Sequence, residues 1–125
     1  MKTVLVMEES PSVRRLLTTV LTGFGFNVRF ASGEAEVVAI FRSEAVHFVL
    51  LGVQIPEIDG VRILTVLRAI DPQVTCCFMS PSAGTLGVPG AVGLLRKPFS
   101  LGELRQLIVD VTGRNWPSRL ERAAA

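Results

Sequence analysis

The chain is predicted to fold as one α/β domain, a doubly wound parallel sheet of five strands with helices on both faces. Three observations predict this. Short apolar or β-branched runs alternate with segments of helical periodicity, joined by short connections. One run, Val74 to Met79, is apolar but for the β-branched Thr75, as expected of a strand covered on both faces. The chain has 125 residues, 49% of them apolar, which suffices for one buried core without approaching membrane composition.

The first strand is Thr3 to Met7, which runs directly into Glu8 and Glu9. Ser10 is placed to cap a helix whose first position is Pro11, where a missing N–H costs nothing. Val13, Leu16, Leu17, Val20 and Leu21 share one face of that helix, and Gly23 is its expected stop. Asn27 to Ala31 reads as the second strand and Gly33 to Ser43 as the second helix, with Ser32 as cap and Val37, Ile40 and Phe41 inward. Phe48 to Leu51 is the third strand, followed by the loop Gly52 to Gly60. A third helix, capped by Asp59, turns Ile63, Leu67 and Ile70 inward. It ends before Asp71-Pro72, because a residue preceding proline is pushed out of helical geometry.

After the strand Val74 to Met79, the interval Ser80 to Val92 carries three glycines and two prolines, so a fourth helix there is expected to be short or irregular. Val92 to Arg96 is the fifth strand. In the last helix Ser100-Leu-Gly-Glu103 is a capping box, Phe99 and Leu104 are spaced as a hydrophobic staple, and Leu104, Leu107, Ile108 and Val111 form the buried stripe up to Gly113. The domain is therefore residues 1–112, with 113–125 a tail or linker stub.

Thirteen basic against eleven acidic residues give a formal charge of +2, with the basic residues scattered except in the Arg-containing tail after Gly113, too weak a pattern for the footprint of nucleic-acid binding. The run Thr3 to Met7 is too short for a secretion signal and no stretch approaches a membrane span, so a cytoplasmic protein without a membrane partner is expected. Cys76 and Cys77 are adjacent in a strand and should point to opposite faces as reduced core thiols. His47 stands without the spacing of a metal site and reads as a packing or surface histidine.

In parallel sheets the functional loops gather at the carboxyl ends of the strands, and three segments at such ends carry a family resemblance. Val4-Leu-Val-Met-Glu-Glu-Ser-Pro-Ser-Val-Arg-Arg-Leu-Leu17 resembles the opening of a bacterial two-component response-regulator receiver domain, in which an acidic pair ends the first strand. Val49-Leu-Leu-Gly-Val-Gln-Ile-Pro-Glu-Ile-Asp-Gly60 is similar to that family's third strand and loop, including the Pro-x-x-Asp-Gly element at Pro56, Asp59 and Gly60. Leu95-Arg-Lys-Pro-Phe-Ser-Leu-Gly-Glu-Leu104 is similar to its last loop, with a lysine-proline pair that is often cis. The motifs fall in order at the ends of the first, third and fifth strands. The resemblance spans Met1 to about Thr112 and implies a flavodoxin-like, CheY-like fold.

In that family an aspartate ending the third strand attacks a phosphoryl group supplied by a histidine kinase, with magnesium as helper. The resemblance places Glu8 and Glu9 on the metal-holding acidic pair, Ser80 on the hydroxyl that follows the phosphoryl group, and Lys97 on the lysine that pairs with it. It places Gly52 on the phosphoacceptor and Leu94 on the aromatic switch position. A hydrogen atom cannot form an acyl phosphate, so the resemblance implies a degenerate pseudo-receiver. Glu8 and Glu9 are read as loop acids, one paired with Lys97, ahead of a magnesium site, because the third carboxylate is missing. Lys97 and Ser80 are read as an internal ion pair and a turn hydroxyl ahead of a remnant anion site.

The function expected is that of a phosphorylation-independent interaction module, not an enzyme, with no catalytic residue, no cofactor and no metal. Its expected partner is a signalling protein, a homodimer being admitted. The alternative is a small-molecule or anion sensor in the space that the missing side chain at Gly52 would open. Restoring the acid, Gly52→Asp, is expected to return metal affinity more readily than signalling.

Overall fold

The computed structural model describes residues 2–52, 58–80 and 93–113. Among them the chain runs β1 (Thr3–Met7), α1 (Pro11–Gly23), β2 (Asn27–Ala31), α2 (Glu34–Ser43), β3 (Val46–Gly52), α3 (Ile58–Ile70), β4 (Cys76–Ser80), β5 (Gly93–Arg96) and α4 (Leu101–Thr112). The five strands form one sheet in the order β2-β1-β3-β4-β5, and every neighbouring pair is parallel. The expected short or irregular helix between Ser80 and Val92 lies outside the described residues.

Strand alternation divides the core into two layers, since successive side chains leave a strand on opposite faces. Val4 and Val6, Phe48 and Leu50, and Cys77 and Met79 face α1 and α4, where Leu17, Val20, Leu21, Leu104 and Ile108 complete the packing. Leu5, Val49, Leu51, Cys76 and Phe78 face α2 and α3, packing with Val37, Ile40, Ile63, Leu64 and Leu67. Cys76 and Cys77 do lie on opposite faces, both buried and both free thiols. Burial, reinforced by Cys77 and opposed by Arg68, pushes the Cys76 thiol up from its ordinary 9.0 to about 12.

Several helix ends depart from expectation. Gly23 is still helical; the cap is Phe24, and the left-handed turn is made one residue later by Gly25, at φ 89°. Ser32 does not cap α2, whose N-cap is Gly33 without a side-chain bond. Instead the Ser32 hydroxyl donates to Glu36 Oε2 at 2.8 Å. Asp59 is not the cap of α3, because that helix already begins at Ile58. The capping box and stop of the last helix are as read: Glu103 N donates to Ser100 Oγ at 3.1 Å, Ser100 N donates to Glu103 Oε1 at 3.2 Å, and Gly113 closes the helix at φ 69°, while Val111, expected in the buried stripe, is only half-buried.

Because the strands are parallel, β1, β3, β4 and β5 deliver Glu8, Gly52, Ser80 and Lys97 to one edge of the sheet.

Candidate functional site

Glu8 and Glu9 follow β1 directly, and strand geometry sends neighbouring side chains in opposite directions. Glu8 is 2% exposed, whereas Glu9 is exposed. A buried carboxylate is costly unless it is paired and hydrogen-bonded, and the Glu8 carboxylate is both. Lys97 Nζ donates to its Oε1 at 2.5 Å, and Ser10 N donates to its Oε2 at 2.9 Å. The Lys97 side chain is 17% exposed, so this ion pair is largely withdrawn from water. The Glu8 backbone carbonyl accepts from Arg14 Nε at 2.5 Å, and the Arg14 guanidinium sits 5.0 Å from the centre of the Phe30 ring, a cation–π contact. Glu8 thus ties together the first turn of α1 and the turn after β5.

Gly52 ends the central strand, paired with Met79 of β4. A Cβ at this position would lie 2.7 Å from Glu8 Oε1 and 2.9 Å from the Met7 carbonyl oxygen. The space that the missing side chain was expected to leave open is therefore filled by the Glu8 carboxylate. Ser80 is fully buried at the end of β4, and its carbonyl accepts from Lys97 N at 2.8 Å. Four of the five residues expected at the site thus converge: Glu8, Gly52, Ser80 and Lys97. Glu9 does not join their buried contacts. Leu94 pairs with Phe78 in the sheet register; its side chain lies outside the described residues.

The Lys97-Pro98 peptide is cis. Beside it lies an open groove of about 480 Å³, lined by Ser10, Ser12, Val13 and Leu16 of the α1 start and by Lys97, Pro98 and Phe99. It is distinct from the filled position beside Gly52. Sequence reasoning missed this groove, and it missed Arg14, which is six residues from Glu8 and follows no local spacing rule for carbonyl contacts.

A family model described as the response regulator receiver domain matches residues 4–109. The chain belongs to that family. The receiver chain is 40% identical over 115 residues to the probable transcriptional regulator ycf27 of Porphyra purpurea, covering 89% of this chain and 47% of that protein. It is 30% identical over 106 residues to the DNA-binding response regulator MtrA of Mycolicibacterium smegmatis, covering 81% and 46%. The chain spans about half the length of these two relatives and about a quarter of the length of others it matches. In fold, the receiver matches the Thermotoga maritima response regulator TrrA, solved with Mg(2+)-BeF, at TM-score 0.76 and 22% identity, covering 89% of this chain and 99% of that one. It matches chemotaxis protein CheY4 of Vibrio cholerae at the same TM-score, 0.76, and 22% identity, covering 89% and 98%. The flavodoxin-like, CheY-like fold is thereby established.

Receivers of this family imply magnesium, and the residues here do not fit it. Magnesium asks for near-octahedral oxygen ligation, usually with one or two protein carboxylates. Both oxygens of Glu8 are already engaged, position 52 has no side-chain oxygen, and Glu9 is exposed. Among the described residues no group of three His, Cys, Asp or Glu side chains is placed to hold a metal, and no helix is long and apolar enough to cross a membrane.

Proposed function

We propose that this chain is a pseudo-receiver: a receiver domain of two-component signalling that is not phosphorylated at the usual place and acts as a phosphorylation-independent protein-interaction module. One observation carries the reading. Gly52, at the strand end where a receiver's acceptor aspartate is expected, offers no nucleophile, and the Glu8 carboxylate occupies the adjoining space. Without a nucleophilic oxygen there is no covalent step, so the domain is not an enzyme and needs no cofactor or metal. Its partner is another signalling protein or a second copy of the chain, met in the cytoplasm. Of the relatives of about twice the matched length, ycf27 is described as a probable transcriptional regulator and MtrA as a DNA-binding response regulator. The chain as a whole carries a formal charge of only +2, so this domain is not the part that contacts nucleic acid.

The test is labelling with acetyl phosphate and magnesium, read by intact-mass spectrometry before and after hydroxylamine. No hydroxylamine-sensitive phosphoryl adduct is expected. A stoichiometric acyl phosphate on any carboxylate would show that the chain has kept the family's chemistry. The second reading, a small-molecule or anion sensor, loses the space beside Gly52, which the Glu8 carboxylate fills, and rests instead on the groove of about 480 Å³ with Lys97 in its wall, a size within the range of ligand pockets.

A further inference from the structure

We propose that Glu8 is an internal stand-in for an acidic side chain at position 52, and that Gly52, Glu8 and Lys97 form a permanent lock holding the β5–α4 turn against the start of α1. This deepens the pseudo-receiver reading by saying what replaces phosphorylation: a contact within the chain.

Three geometric facts converge on the lock. The Glu8 carboxylate lies where a position-52 side chain would begin, 2.7 Å from the ideal Cβ, so the lock can close only because residue 52 is glycine. That carboxylate takes the ammonium of Lys97, 89 positions away in sequence, and the Ser10 N–H at the α1 cap. Lys97 is simultaneously tied through its own N–H to the Ser80 carbonyl. The β1, β4 and β5 ends are thus joined through one carboxylate and one lysine. Ser10 and Lys97, the two residues that the Glu8 carboxylate holds, also line the groove beside the Lys97-Pro98-Phe99 turn.

The chain offers an internal control, because Lys2 and Lys97 are its only lysines. Lys2 is exposed and Lys97 is held. In the full chain, acetylation of lysine amines resolved by peptide mass should modify Lys2 at least about tenfold faster than Lys97. Glu8→Gln should bring the Lys97 rate close to that of Lys2. Hydrogen exchange supplies the second readout. Glu8→Gln and Lys97→Met should each raise exchange about tenfold or more in Glu8 to Val13 and in Lys97 to Glu103, while the amides of β1, β3 and β4 stay protected. The double variant should do little more than either single one, as expected for partners in one contact.

Equal acetylation of the two lysines in the parent would overturn the lock. So would exchange that is unchanged in both segments, or raised evenly through the sheet. Exchange and acetylation read a contact, whereas phosphodonor labelling reads chemistry, so failure of the lock is distinguishable from failure of the pseudo-receiver reading.

Discussion

At the residue scale, Gly52 is decided by space more than by backbone freedom. A glycine inside a strand ordinarily costs about 0.5–1 kcal/mol against alanine, so Gly52→Ala would be expected to stabilise. Here the added Cβ meets Glu8 Oε1 at 2.7 Å and the Met7 carbonyl at 2.9 Å, and the second contact is backbone that cannot swing away. Gly52→Ala should therefore destabilise by about 1–3 kcal/mol, the range for overpacked sites, measured as a fall in the denaturant midpoint at unchanged slope. An unchanged or raised midpoint would contradict the packing. The same contact alters what is expected of Gly52→Asp. A new carboxylate must first push Glu8 aside, so metal affinity cannot return by simple addition of a third acid. The glycine itself was legible in the sequence; its neighbours were not, because Glu8 reaches it from the adjacent strand, 44 positions away in the chain.

At the element scale, caps separate into those written locally and those that are not. The Ser100 and Glu103 bonds are reciprocal and span three residues, so the sequence spacing alone places them. Ser100→Ala should cost about 1 kcal/mol of stability, within the usual range for a lost cap. Ser32→Ala should change stability by less than about 0.5 kcal/mol, since Ser32 bonds an exposed Glu36 side chain and caps nothing. Comparing the two variants by chemical denaturation checks both values, and equal losses would refute the distinction. Glycine stops were harder to place: Gly23, Gly25 and Gly113 all follow apolar helical stretches, yet only Gly25 and Gly113 take positive φ. Where α1 ends depends on Phe24 packing into the core with 4% exposure, a tertiary fact.

For the whole molecule, two apolar layers share one sheet, and Cys76 sits between the sheet and α2 and α3. Its folded-state pKa of about 12 stands above the ordinary 9.0 because burial disfavours the thiolate. As pH rises above 9, the unfolded chain sheds this proton while the folded chain keeps it. The folded state then binds more protons, and stability falls with pH. The contribution is fully present below pH 9 and is lost progressively toward pH 12, at no more than about 1.4 kcal/mol per pH unit. Denaturant titrations between pH 8 and 11 should show this decline, and Cys76→Ala should have a shallower one. Equal slopes in parent and variant would assign the decline to other groups.

The sequence by itself determined the elements, their alternation, the all-parallel two-layer plan and the motifs at the strand ends. Each rests on periodicity or on spacing within a few residues, where side-chain direction follows from backbone geometry. It also gave the expectation that Gly52 stands at the acceptor position and that one of Glu8 and Glu9 pairs with Lys97. Only the tertiary structure decided which one, that Glu8 fills the place left by Gly52, and that Arg14 and Ser10 bind the same residue. The physical reason is that these contacts join the ends of separate strands. Their distances depend on how the sheet and its two helical layers pack, and no local spacing encodes that.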